Sequence, residues 1–178
     1  MGRNAARKIA GLAVAALVAF GAILLMMIQF QTDLLFPVRA VPPAGPLLPG
    51  AERLQVATVD GDILHGVHLQ PVQEGNKTNL LIVGFGGNAW NGQEVATYLR
   101  GIFPEAHVVA FHYRGYPPST GNPSADALMA DAPLVLDEAV ERVAPDRVVA
   151  VGFSIGSGVA ASLAGRRPAD GLILVTPF

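Results

Sequence analysis

One pentapeptide in this sequence is built for covalent chemistry: Gly152-Phe153-Ser154-Ile155-Gly156, a serine with a glycine two positions to either side. A hydroxyl works as a nucleophile when the backbone presents it clear of its neighbours, close to donors that can hold the charge of a tetrahedral adduct. The flanking residues supply that setting. Arg147-Val148-Val149-Ala150-Val151 precedes the pentapeptide and is largely β-branched, whereas Ser157 to Ala164 is small and helix-compatible. A strand, a sharp turn and a helix make a nucleophile elbow. The spacing therefore predicts Ser154 as a nucleophile at the positive end of a helix, with Gly152 and Gly156 letting strand and helix pass close to one another.

Such a serine needs an oxyanion hole. One expected donor is the backbone N–H of Ile155, and the other comes from the loop after the third strand, here Gly84 to Gly92, at either Gly87 or Asn88. Trp90, in the same loop, is a candidate wall for the acyl pocket. A third constellation, Phe111 to Gly121, leaves a strand and enters a turn-rich loop carrying Tyr113, Arg114 and Tyr116. Carboxyl ends of strands are where open α/β sheets place ligands, which makes Tyr113 and Arg114 candidate substrate-binding residues. A rival reading exists for the glycine loop. Gly84-x-Gly86-x-x-Ala89 fits the dinucleotide fingerprint, with Glu105 near the distance of a ribose-binding acid, and would make the chain a nucleotide-binding oxidoreductase. That fingerprint ordinarily follows the first strand of a βαβ unit, whereas here a hairpin comes first.

The elements that must position these residues are readable from hydrophobic patterning. Leu54 to Val59 alternates as a strand, Asp60-Gly61-Asp62 reads as a hairpin turn, and Ile63 to Leu69 returns. Pro71 to Asn79 is a polar loop. Leu80 to Phe85 is a short apolar run suited to a strand buried on both faces, and His107 to Phe111 is another. Glu94 to Arg100 is expected to be a short helix. Ser124 is an expected N-cap for a helix reaching Val143, which Pro133 should kink or split. Gly171 to Val175 completes the set. Strands alternating with helices after a leading hairpin predict an α/β fold with a mostly parallel sheet.

The chain of 178 residues is larger than one small domain needs, and its amino-terminal part accounts for the excess. Ile9 to Ile28 lacks any charged side chain and as a helix would span roughly 30 Å, the thickness of a bilayer core. Arg3, Arg7 and Lys8 precede it, so residues 1–8 are expected to be a basic cytoplasmic tail, residues 9–30 a transmembrane anchor, and the remainder to lie across the membrane, periplasmic or luminal. The run is longer than a signal-peptide core and ends without a small-x-small cleavage site. Residues 31–50 are expected to be a linker, stiffened by the five prolines of Pro37 to Gly50. Residues 51–178 carry 8 basic and 13 acidic side chains and offer no basic face for nucleic acid. There is no cysteine, and His65, His68, His107 and His112 show no metal-ligand spacing, so neither a metal nor a cofactor is expected.

Taken in order, these motifs resemble the α/β-hydrolase superfamily, specifically the membrane-anchored serine hydrolases of the Bem46 and ABHD12/ABHD13 type. The resemblance lies in Phe85-Gly86-Gly87-Asn88-Ala89-Trp90-Asn91, in Tyr113 to Gly121, in the Gly152 to Gly156 elbow, and in Thr176-Pro177-Phe178 after the following strand. It covers residues 50–178 and implies hydrolysis of an ester, thioester or amide through an acyl-enzyme, on a small-molecule acyl substrate that membrane proximity makes lipid-like. It also implies a triad ordered Ser, then Asp or Glu, then His. After Ser154 the sequence has one acid, Asp170, and no histidine, while His112 precedes the serine and is out of order as a substitute base. The apolar run Leu172-Ile173-Leu174-Val175 would, in the expected strand order, be left as a bare sheet edge. The expectation is an amino-terminal fragment of a longer hydrolase, inactive alone. The alternative is a noncatalytic binding or scaffold protein of the same fold.

Overall fold

The computed structural model describes residues 2–73 and 79–177. Much of the expected polar loop Pro71–Asn79, and Phe178 of the Thr176-Pro177-Phe178 motif, lie outside the described residues. The chain forms two compact units, Met1–Leu35 and Phe36–Phe178.

The first unit is a single helix, α1 (Arg3–Leu35). It extends past both ends of the expected anchor, because neither the charged residues before it nor Gln29 to Asp33 after it include a helix breaker; the first proline is Pro37. Its most apolar stretch reaches a mean hydropathy of 2.6, and the helix is long and apolar enough to cross a membrane.

In the second unit the strands are β1 (Ala51–Ala57), β2 (Ile63–Leu69), β3 (Leu80–Phe85), β4 (His107–Phe111), β5 (Arg147–Phe153) and β6 (Gly171–Val175), and they form one sheet in the order β1-β2-β4-β3-β5-β6. The β1–β2 hairpin and the β2–β4 pair are antiparallel, and the remaining pairs are parallel. The hairpin turn begins earlier than expected, at Thr58, whose hydroxyl and amide both bond to Asp62.

Among the described residues, three helices cover the sheet: α2 (Gly92–Ile102), α3 (Ala125–Val143) and α4 (Ile155–Ala164). The pleat sorts the strand residues between them. Leu81, Val83, Val109 and Ala150 pack with Leu128, Val135, Leu136 and Leu163 of α3 and α4. Ile82, Val108, Ala110 and Val151 pack with Val95, Ala96 and Leu99 of α2. Both faces of β3 and β4 are thus buried, which is why these strands read as unbroken apolar runs.

Two expectations are corrected here. The proline-rich stretch, expected to be a stiff linker, is packed against the body. Phe36 and Val41 belong to the core on the α3/α4 side, Leu47 packs on the α2 side, and the side-chain amides of Asn91 and Gln93 donate to the carbonyls of Pro42 and Pro46 at 3.1 and 2.9 Å. Bulky apolar residues before and between the prolines give this strap something to bury. Of the two outcomes expected for Pro133, a kink or a split, the split does not occur: α3 is one helix, capped at Ser124 as expected. A proline at that position leaves the Met129 carbonyl without its helical donor, and the guanidinium of Arg166 supplies one at 3.2 Å.

Candidate active site

The elbow between β5 and α4 is built by sterics. Ser154 has φ +50° and ψ −120°, a conformation that side chains rarely adopt. What holds it there is the crossing of strand and helix on either side. A Cβ on Gly152 would collide with the Gly156 carbonyl, and one on Gly156 would collide with the carbonyls of Phe85 and Gly86. Both positions therefore require glycine, which accounts for the spacing in the pentapeptide. The Ser154 amide donates to Val175 at 2.9 Å, tying the turn to β6. The neighbouring Ser157 hydroxyl sits inside, within 3.0 Å of the Gly152 carbonyl and 3.2 Å of that of Val175. Ser154 is only half-buried, and its side chain makes no hydrogen bond with the start of α4.

The loop after β3 comes up beside this serine. A Cβ on Gly87 would lie 3.8 Å from the Ser154 Cβ, in ordinary contact. Among the described residues, the N–H groups of Ile155, Gly87 and Asn88 have no backbone hydrogen-bond partner. Ile155 opens α4, so its amide is one of those a helix leaves unpaired, at the end with positive partial charge. The same loop runs into α2 through Asn91, whose side-chain oxygen accepts from the Glu94 amide at 2.9 Å. Trp90 makes edge contacts with Phe153 and Tyr98, at centroid separations of 5.2 and 5.4 Å. Because Phe153 adjoins the serine, this aromatic group flanks the elbow.

The constellation after β4 differs from expectation. The Tyr113 hydroxyl points into the fold, donating to the Gly86 carbonyl at 2.8 Å, and burial pushes its pKa up. Arg114 is buried. Its Nε and Nη2 make a two-pronged contact with Asp131 at 3.1 and 2.6 Å, and its Nη1 reaches Asp60 at 2.6 Å and Asp62 at 3.2 Å. Its donors are taken by carboxylates of this chain, so the geometry assigns it to structure rather than to a substrate. The three partners lie 17 to 54 residues away in sequence, and no local pattern announces them. His112 is also buried, and its Nδ1 faces the Gly92 amide at 3.4 Å.

The dinucleotide reading fails on geometry. A ribose-binding acid belongs at the carboxyl end of the strand following the glycine-rich loop. Glu105 precedes β4 and so lies at its amino end, on the far side of a five-residue strand, roughly 16 Å away.

A family model described as the alpha/beta hydrolase fold matches residues 80–177. This chain belongs to the α/β-hydrolase family. An uncharacterized protein of Mycobacterium tuberculosis is 34% identical over 97% of this chain, and the chain spans 62% of that relative's length. The lysophosphatidylserine lipase ABHD12 of Danio rerio is 39% identical over 77 residues, covering 40% of this chain and 20% of the lipase. Among solved structures, an alpha-beta hydrolase from Vibrio vulnificus superposes with a TM-score of 0.69 at 20% identity, over 85% of this chain and 58% of that one. A lidless serine hydrolase from Xanthomonas campestris gives 0.62 at 22% identity, over 75% of this chain and 64% of that one. At these identities the structural matches establish the fold.

Proposed function

We propose that the whole protein is a membrane-anchored serine hydrolase acting through an acyl-enzyme on Ser154. The substrate is an ester, thioester or amide with a lipid-like acyl group. In this reading the Ser154 Oγ attacks the carbonyl carbon while a base takes its proton. The tetrahedral oxyanion is held by the Ile155 N–H and by that of Gly87 or Asn88, the leaving group departs with the proton, and water then releases the acid and restores the serine. Trp90, together with Phe153 and Tyr98, walls the acyl side. Among the described residues no histidine hydrogen-bonds to Ser154; the base and its acid are proposed to come from the part of the family that this chain, at 62% of its relative's length, does not span. α1 is assigned as the anchor, with the amino terminus in the cytoplasm and the catalytic unit on the opposite side of the membrane.

The single observation that supports this reading is a serine held at positive φ beside a loop in which, among the described residues, the Gly87 and Asn88 amides have no backbone hydrogen-bond partner. The substrate class leans on the likeness to lysophosphatidylserine lipases. The test is labelling of the full-length protein, in membranes, with a fluorophosphonate probe. Wild type is expected to label and Ser154→Ala is not. Absence of labelling in the wild type favours a noncatalytic role, and labelling of Ser154→Ala moves the nucleophile elsewhere.

A further inference from the structure

We infer that Tyr113 and Tyr116 are positioning residues for the oxyanion loop: their phenols grip the carbonyls of Gly86 and Asn88 and so fix the peptide planes of the loop beside Ser154. The inference rests on the hydrolase reading above.

Within the loop they hold, the Trp90 amide reaches the Gly87 carbonyl only at a long 3.4 Å. Gly86 and Gly87 are adjacent, and glycine peptides rotate at low cost. An oxyanion hole is effective only if its donors are already aimed before charge develops, so something outside the glycines must fix them. The Tyr113 hydroxyl donates to the Gly86 carbonyl at 2.8 Å, and the Tyr116 hydroxyl donates to the Asn88 carbonyl at 2.5 Å. A peptide unit is planar and trans, so its N–H points opposite to its C=O. Pinning the Gly86 carbonyl therefore turns the Gly87 N–H away from Tyr113. Pinning the Asn88 carbonyl likewise fixes the Asn88–Ala89 plane. The Gly87–Asn88 unit, which carries the other candidate amide, is clamped between two held neighbours.

The tyrosines are themselves aimed by a short rigid bend. The Tyr116 amide donates to the Tyr113 carbonyl at 2.8 Å, and Gly115 takes the turn at φ +78°. Arg114, inside that bend, is fastened to Asp131, Asp60 and Asp62. The two rings meet edge to face at 5.7 Å. Tyr116 is fully buried, and its phenol is pushed up to about 12, so it stays a protonated donor across the working pH range. A buried phenol with this choice of partner is satisfied only while the loop keeps its shape, which makes each bond a restraint on the other.

The test uses Tyr113→Phe and Tyr116→Phe in the full-length protein, which keep the rings and remove only the hydroxyls. Hydrolysis of a p-nitrophenyl ester is measured alongside inhibition by a boronic acid, which forms a tetrahedral adduct on serine. Expected is a fall of about tenfold in kcat for each variant, with KM within twofold and boronate affinity falling in step with kcat. Wild-type kcat and boronate affinity in Tyr113→Phe would overturn the inference. So would a loss of activity matched by an equal loss of folded protein in thermal melts. Tyr113 is only half-buried, so its variant decides the matter even if Tyr116→Phe fails to fold. In both overturning cases a silent Ser154→Ala still upholds the hydrolase reading, whereas an active Ser154→Ala removes the hydrolase reading itself.

Discussion

Arg114 and Asp131 form a two-pronged ion pair between the loop after β4 and helix α3, with each side chain 8% exposed. Removing Asp131 leaves the buried Nε and Nη2 of Arg114 without a carboxylate and only Nη1 paired, with Asp60 and Asp62. Asp131→Ala is expected to cost about 3–5 kcal/mol, read by urea denaturation. Arg114→Lys keeps the charge but loses the fork, and is expected to fall between Asp131→Ala and wild type. A cost below about 1 kcal/mol for Asp131→Ala would show that Asp60 and Asp62 suffice to hold the arginine.

The strain at Ser154 gives a prediction with an unusual sign. A side chain at φ +50° costs stability that glycine does not. Ser154→Gly is expected to raise the unfolding free energy by about 1 kcal/mol, after the extra backbone freedom of glycine is discounted, while abolishing fluorophosphonate labelling. Gly156→Ala should do the reverse to stability. Its methyl meets the backbone of Phe85 and Gly86, with an expected cost of about 1–3 kcal/mol. Chemical denaturation of both variants measures the pair.

Acid is expected to weaken the fold well above the carboxylate range. Burial lowers the pKa of His112 to about 4, helped by the positive charges of His65 and Arg53. The unfolded chain takes up this proton near pH 6.5, while the folded chain resists until about pH 4. Stability conferred by neutral His112 is therefore complete above pH 6.5 and is lost as the pH falls toward 4, by about 2 kcal/mol at pH 5. His68 and His107 act in the same direction. Burial lowers both, and their 2.8 Å ring contact needs a lone pair on one side. Equilibrium unfolding at pH 7 and pH 5 tests this, and His112→Gln should flatten the dependence.

Asn91 performs two tasks with one side chain, capping α2 and holding the Pro42 carbonyl. Asn91→Ala is expected to cost about 1–2 kcal/mol. It should also speed tryptic cleavage after Arg39, which is exposed in the short 3₁₀ turn Val38–Ala40 of the strap. Unchanged cleavage would mean that Phe36 and Val41 alone keep the strap in place.

The strands and the elbow were legible because their signals are local. A buried parallel strand must be an apolar run, and a strand crossing a helix at a serine must have glycine at both crossings. The docking of Pro37–Gly50 was not legible, since a proline-rich stretch has the same composition whether or not Phe36 and Val41 find a socket. The role of Arg114 was hidden for the same reason, as its partners come from a hairpin turn and a helix far along the chain. That Pro133 leaves its helix unsplit was not legible either, because the donor that serves the freed Met129 carbonyl, Arg166, lies 33 residues later. The tyrosines were noticed for their position, but only the direction of their hydroxyls reveals what they grip.

The strap also sets where a version of this protein without α1 can begin. Phe36 and Val41 fill the interior and Gln93 holds Pro46, so a start at Ala51, where the first strand opens, would unplug the body. A start at Phe36 discards the apolar helix and keeps every one of those fastenings.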